Sequence, residues 1–364
     1  MRRITVASFA VAPTLLVAQQ PSRFTLAPAS ASLAEEFSNL VWARELKDGR
    51  VIITDSRDGR IVVADLRAGS VQQIGRKGQG PNEYPRAQPV WSVGGDSSVM
   101  MGSPERWLMF DGPRIVATLA PDAPGVSVIR GIARGSDERG YVYSAEFLPA
   151  GNKPIGDSTA LLRVARGTGK VDTVARLKAL VPHRTSAANK DGFFSFSLPT
   201  LDAADEVVPF ADGWIAVVRT DRYRVEWRSP DGRWTAGAPL PFTAIRVDDK
   251  EKRAHMARLA AVSGKTPSPP DSIGDWPATL PPYRSPVMLL ASPDGRLLIP
   301  RLPTAEHPEA RYDIVNRRGA LDGQLVLAEN ERIVGFGASS AYVAVTDDDG
   351  IQRLRRHPWP PARS

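Results

Sequence analysis

The chain contains no cysteine. Disulfides, thiolate metal sites and cysteine nucleophiles are therefore excluded, and so is the lipid anchor that an exported precursor attaches to a cysteine at its cleavage site. Histidine is scarce: His183, His255, His307 and His357 stand far apart, with no H-x-H, H-x-x-x-H or H-E-x-x-H spacing. No local zinc motif is present, and each histidine reads as a surface residue in a loop, insertion or tail. A G-x-S-x-G elbow and an S-x-x-K pair are also missing, so serine chemistry has no foothold. Beyond Val17 no apolar run approaches the ~18 residues of a membrane helix, and no transmembrane segment is expected. Charge of one sign is not concentrated either: 47 Lys and Arg face 40 Asp and Glu, for a net +7. The one basic run, Arg353, Arg355, Arg356, His357 and Arg363, is shorter than the stripe of a nucleic-acid reader, so no nucleic-acid partner is expected.

What the chain has in quantity is turn residues. Its 30 glycines and 32 prolines are spread along all 364 positions, which suits many short strands joined by tight turns. The N-terminus, MRRITVASFAVAPTLLVAQQ, has a basic Arg2-Arg3 pair, an apolar stretch from Ile4 to Val17 and a small residue, Ala18, for cleavage. That is the pattern of an export signal over residues 1–18, leaving 19–364 as the mature chain in a periplasm or outside the cell.

One unit recurs: strand, Asp-Gly-type turn, apolar strand, polar turn, strand. In the first copy, LVWARELKDGRVIITDSRDGRIVVADLRAGSVQQIG, the turns at Asp48-Gly49, Asp58-Gly59 and Ala68-Gly69 separate four strands. First turns recur near Gly49, Gly95, Gly140, Gly213, Gly295 and Ser340, at spacings of 46, 45, 73, 82 and 45. Three spacings match the ~40–50 residues of a four-stranded blade. The two long ones hold insertions at 178–203 and 241–285. The expected fold is all-β: one six-bladed β-propeller domain of four-stranded antiparallel blades. The sixth unit shows three clear strands, and Arg23-Phe24-Thr25-Leu26 is expected to supply its outer strand and close the ring. The exception to β structure is 246–264, predicted as a short helix. Asp248 and Glu251 begin it as in a capping box, and Met256, Leu259 and Ala260 form its apolar stripe.

The stretch IGRKGQGPNEYPRAQPVW, residues 74–91, looks first like a phosphate loop. A phosphate loop runs into a helix, and the prolines at 81, 85 and 89 prevent one. Before Gly264-Lys265-Thr266 the position that P-loop chemistry requires to be glycine is Leu259. Likewise Asp347-Asp348-Asp349-Gly350 lacks the spacing of a calcium loop and reads as a hairpin turn. What the first stretch does match is a repeat signature. Gly75, Gly78, Gly80-Pro81, Glu83-Tyr84 and then Arg106-Trp107-Leu108-Met109-Phe110-Asp111 resemble the NHL repeat. Over about residues 35–357 the chain resembles the exported bacterial six-bladed β-propeller proteins of that kind. Asn82 stands where that pattern has glycine, and Gly102 where the first unit has Asp55.

The resemblance implies the fold and leaves the activity open. Related amidating lyases hold zinc with histidines in the channel, and no histidine here falls on an inner strand. Lactonase-like propellers hold a divalent ion with Glu, Asn and Asp. A channel-metal hydrolase is therefore the alternative, with the metal residues unassigned. The leading expectation is a monomeric binding module without a catalytic site or cofactor, for a protein or a small polar or carbohydrate ligand. Function concentrates on loops held by a scaffold, so the insertions supply the candidate ligand residues. These are His183, Arg184, Lys190, Phe193 and Phe196 from the first, and Trp276, Tyr283 and Arg284 from the second.

Overall fold

The computed structural model describes residues 22–80, 82–102, 106–119, 132–145, 156–181, 183–184, 196–197, 200–263, 265–274 and 276–360. The export signal at 1–18 and the candidates Lys190 and Phe193 lie outside them. Six four-stranded antiparallel sheets form a six-bladed β-propeller. Blade 1 comprises Leu40–Glu45, Val51–Asp55, Arg60–Asp65 and Ser70–Gln73. Blade 2 comprises Val90–Gly94, Ser97–Gly102, Arg106–Asp111 and Arg114–Leu119. Blade 3 comprises Ile132–Ser136, Tyr141–Ala145, Ser158–Ala165 and Val171–Lys178. Blade 4 comprises Glu206–Pro209, Ile215–Arg219, Arg224–Arg228 and Trp234–Ala236. Blade 5 comprises Leu290–Ala291, Leu297–Pro300, Arg311–Val315 and Leu321–Val326. Blade 6 comprises Glu331–Phe336, Ser340–Thr346 and Gln352–Pro358, completed by Ala31–Ser32.

Strand periodicity explains the packing. A strand sends alternate side chains to opposite faces, and in a blade both faces meet a neighbour. Val51 and Ile53 pack against Val334, Tyr342 and Ala344 of blade 6. Ile52, between them, packs against Val90, Met100 and Leu108 of blade 2. The remaining seams follow the same rule: Val99 with Val142, Leu161 with Val217, Val218 with Leu297, and Leu298 with Val343. Second strands are therefore mostly apolar and buried along consecutive residues, as in VII of blade 1, instead of alternating. The turn glycines that set the repeat, Gly49, Gly95, Gly140, Gly213 and Gly295, all lie at positive φ between first and second strands.

The ring closes with the N-terminal segment, by a different strand from the one expected. The outer strand of blade 6 is Ala31–Ser32, paired antiparallel with Arg355 and Arg356. Arg23–Phe24 instead adds a fifth, parallel strand to blade 5, opposite Gln324 and Leu325. Leu33 and Phe37, both about fully buried at 1% exposure, decide the register by entering the seam between blades 1 and 6.

The 74–91 stretch connects blades 1 and 2. Glu83 accepts from Gly80 N (2.7 Å) and pairs with Arg76 Nε (2.6 Å), so its carboxylate folds the glycine loop around itself. Tyr84 is fully buried, and its hydroxyl accepts from Ile61 N (2.9 Å). Asn82 takes φ +60°, a conformation asparagine tolerates, which explains its standing in for glycine. The Asp347 turn is a hairpin: its carboxylate accepts from Asp349 N and Ile351 N and pairs with Arg353.

The helix forms at Asp249–Ser263, with Asp248 Oδ1 capping Glu251 N (3.0 Å). Glu251 does not return to the cap; it accepts from Ala305 N on blade 5's loop (2.9 and 3.0 Å). Met256 and Ala260 are buried, whereas Leu259 is exposed, so the buried stripe is narrower than expected. Among the described residues no helix is long and apolar enough to cross a membrane.

Candidate functional site

Every blade starts at the same end of the ring, so the six inner strands run in one direction around a central channel. With four strands per blade, each blade-to-blade connector returns to that starting end. The insertions after Lys178 and after Ala236 are both such connectors, and topology places both on that end.

The channel encloses about 870 Å³ and is lined by all six inner strands. Trp42 of blade 1 and Trp91 of blade 2 are half-buried, with ring centroids 6.1 Å apart at 58°. Trp42 donates its indole N–H to Val90 O (2.8 Å), which fixes the ring across the edge of the neighbouring strand. Pro209, Phe336 and Met288 add apolar wall elsewhere. The lining is thus mostly apolar, with few polar groups, as in small-molecule sites generally.

The charged ones are Arg44, Arg134, Arg317 and Asp212, with Glu206 in an adjoining recess. Arg44, 7% exposed, donates to the carbonyls of Gly95 (2.7 Å) and Ser97 (3.2 Å) and to the Ser92 hydroxyl (3.3 Å). Backbone dipoles hold this cation, and burial lowers its pKa against the pull of the Asp96 and Glu138 carboxylates. Toward the starting end, Arg134 Nη1 pairs with Glu206 Oε2 (2.6 Å), whose side chain is 1% exposed. Burial raises the Glu206 pKa, against the pull of Arg134 and the Val287 N–H (3.3 Å). Arg134 Nε is buried and has no hydrogen-bond partner among the described residues. At the far end, Arg317 pairs with Asp212 (2.6 Å) and stacks on Trp214. Inner strands are thus tied blade to blade, with Ser136 Oγ to Ser92 O (2.6 Å) and Arg332 to Asn39 (3.2 Å) continuing the series. Among the described residues, no group of three His, Asp or Glu side chains is placed to hold a metal ion.

The insertion candidates are placed as follows. His183, Arg184 and Phe196 lie on a two-stranded ribbon, with His183 opposite Ser197 and Arg184 opposite Phe196. Trp276 is half-buried; its indole donates to Pro270 O (3.1 Å) and its ring meets the buried His255 edge-on. Burial, with Arg258 and Arg284 nearby, lowers the His255 pKa to about 4. Arg284 is exposed. Tyr283 is at 0% exposure in the blade 4–5 core, where it offers no surface to a ligand.

Tyr283 does something else: it joins the insertions. Its hydroxyl donates to Ala204 O (2.8 Å), and next to it Ser285 N donates to Asp202 O (3.0 Å). Ser285 Oγ accepts from Ala204 N (2.9 Å). The roots of both insertions therefore meet beside Glu206. With Arg134 they line a recess of about 40 Å³ next to the channel.

The residues that sequence reasoning passed over are Trp42, Trp91, Arg134 and Glu206, all on inner strands. A signal for them existed. Each is a large or charged residue on an inner strand, four to seven residues before its turn glycine.

No family model and no curated protein matches the chain. Solved structures do. A Bacteroides fragilis protein named as a candidate exported protein is 11% identical, with 93% of this chain and 99% of that chain covered and a TM-score of 0.51. A member of the duf4221 family from Bacteroides vulgatus is 8% identical over 91% and 97%, with a TM-score of 0.48. Regucalcin from Agrobacterium tumefaciens, a calcium-binding protein, is 12% identical over 93% and 97%, with a TM-score of 0.44. At such identities the likeness shows the fold alone.

Proposed function

We propose that this chain is an exported, monomeric propeller of the NHL-like kind that acts as a binding module. Its ligand sits in the central channel. The observation that carries the reading is the pair of half-buried tryptophans, Trp42 and Trp91, on adjoining inner strands within the 870 Å³ channel. Aromatic faces fixed on rigid strands stack against flat or apolar ligand surfaces at little ordering cost. Asp212 of the channel and Glu206 of the adjoining recess are each held by an arginine. That supports binding over metal-dependent hydrolysis, which needs carboxylates turned to an ion. Export rests on the basic pair, apolar stretch and Ala18 at the N-terminus.

The test is titration with N-phenyl-1-naphthylamine, an uncharged aromatic fluorophore. One saturable site per chain is expected, weakened about tenfold in Trp42→Ala and in Trp91→Ala, with far-UV circular dichroism unchanged. Trp42→Phe, which keeps an aromatic face, retains more affinity than the alanine variant. Equal binding by all four proteins overturns the channel reading.

A further inference from the structure

Resting on that reading, the ligand's chemistry follows from the arginine beside the tryptophans. We infer that Arg134 forms an oxyanion subsite, so that the channel selects an aromatic or otherwise apolar molecule carrying a carboxylate, sulfonate or phosphate group.

Four observations converge on Arg134. First, its one hydrogen bond among the described residues uses Nη1, to Glu206. Second, Nε is buried without a hydrogen-bond partner among them. A guanidinium presents five N–H donors, and the Nε–Nη2 edge is the one that grips an oxyanion with two parallel bonds. Glu206 takes the other side and leaves that edge available. Third, Arg134 lines both the main channel and the side recess. At about 40 Å³ the recess has room for a water or one small group. Fourth, Trp91 is close by: its Cδ1 would lie 3.5 Å from a Cβ placed on Gly135, the next residue along the strand. Trp91 and Arg134 both line the channel, from adjoining inner strands.

Two probes separate this inference from the reading beneath it. Anilinonaphthalene-8-sulfonate is N-phenyl-1-naphthylamine with one sulfonate added. Wild-type protein is expected to bind the sulfonate about tenfold or more tightly than the uncharged probe, the ratio of a charge-assisted hydrogen bond. Arg134→Gln alone strands the buried Glu206 carboxylate, so the informative protein is the double variant Arg134→Gln with Glu206→Gln, which keeps shape and removes both charges. It is expected to lose the preference while binding the uncharged probe as before. Arg233→Gln, at an exposed arginine that lines neither cavity, is expected to keep the preference. If the double variant retains the wild-type ratio, or wild type shows no preference, the oxyanion subsite is wrong and the channel reading stands. If neither probe responds to Trp42→Ala or Trp91→Ala, the channel reading itself fails.

Discussion

Closure of the ring is the structural claim on which the channel depends, and Gly335 tests it. Gly335 lies on the inner strand of blade 6, opposite Tyr342, and faces Ala43 on the inner strand of blade 1. A Cβ there would lie 2.8 Å from the Ala43 carbonyl carbon and closer still to its oxygen. The carbon alone falls about 0.7 Å short of an ordinary ~3.5 Å contact. Neither side yields easily. Ala43 is held in its ladder opposite Ile53, and the seam is tied further by Tyr342 to Glu45 and by Leu40 N, which donates to Gln352 Oε1 (2.8 Å). Overpacking of this kind costs about 1–3 kcal/mol, and a clash of backbone against backbone belongs at the upper end, about 3 kcal/mol for Gly335→Ala. The assay is urea unfolding followed by circular dichroism, with the midpoint shift converted through the measured m-value. Gly167→Ala is the control: it is exposed, has no atom within 4 Å of its added Cβ, and is expected to change stability by less than about 0.5 kcal/mol. Gly335→Ala as stable as wild type would mean that blades 1 and 6 do not meet as described, and the closed ring would be refuted.

Two further outcomes are expected. His255 has a folded pKa near 4 against an ordinary 6.5, so between these values the unfolded chain binds the proton and the native one does not. Stability therefore falls as pH drops through that window, by about 2 kcal/mol between pH 7 and 4.5, and urea midpoints of His255→Phe should lack this component; equal pH slopes for the two proteins would exclude it. Tyr283→Phe removes the donor to Ala204 O and should cost about 1 kcal/mol in the same assay, with naphthylamine binding unchanged. Loss of binding in that variant would place Tyr283 on the ligand surface instead of in the core.

Much of the fold was legible because its signals are local. Turn glycines at positive φ repeat once per blade, and doubly buried second strands such as VIIT stand out between them. The closing strand was misplaced for a non-local reason. Residues 23–26 and 31–32 are both short extended segments, and local pattern treats them alike. What separates them is Leu33 and Phe37 reaching the seam with Leu354, more than 300 positions away. Leu259 was misjudged similarly: its helical spacing is right, but the surface beneath ends at Met256 and Ala260.

The candidate site was less legible, because an inner-strand residue has two roles that look alike in sequence. Trp42 and Trp227 are both tryptophans on blade strands, yet Trp227 is fully buried in the seam between blades 4 and 5 while Trp42 reaches the channel. Only the ring's geometry tells them apart. The insertions attracted attention because they break the repeat, and their importance turns out to lie at their ends. Asp202, Ala204, Tyr283 and Ser285 are where two irregular segments rejoin the regular frame, and they tie together beside Glu206. A rigid propeller can hold Arg134 and Glu206 in place without insertions, since both are on inner strands. It cannot seal the space between two diverging blades at the mouth. Ala204, Asp205, Ser285 and Pro286 do that, and so shape the recess where the open edge of Arg134 lies. Blades supply the aromatic platform, insertion roots shape the polar end, and changes in the distal loops should alter access to the channel before they alter its chemistry.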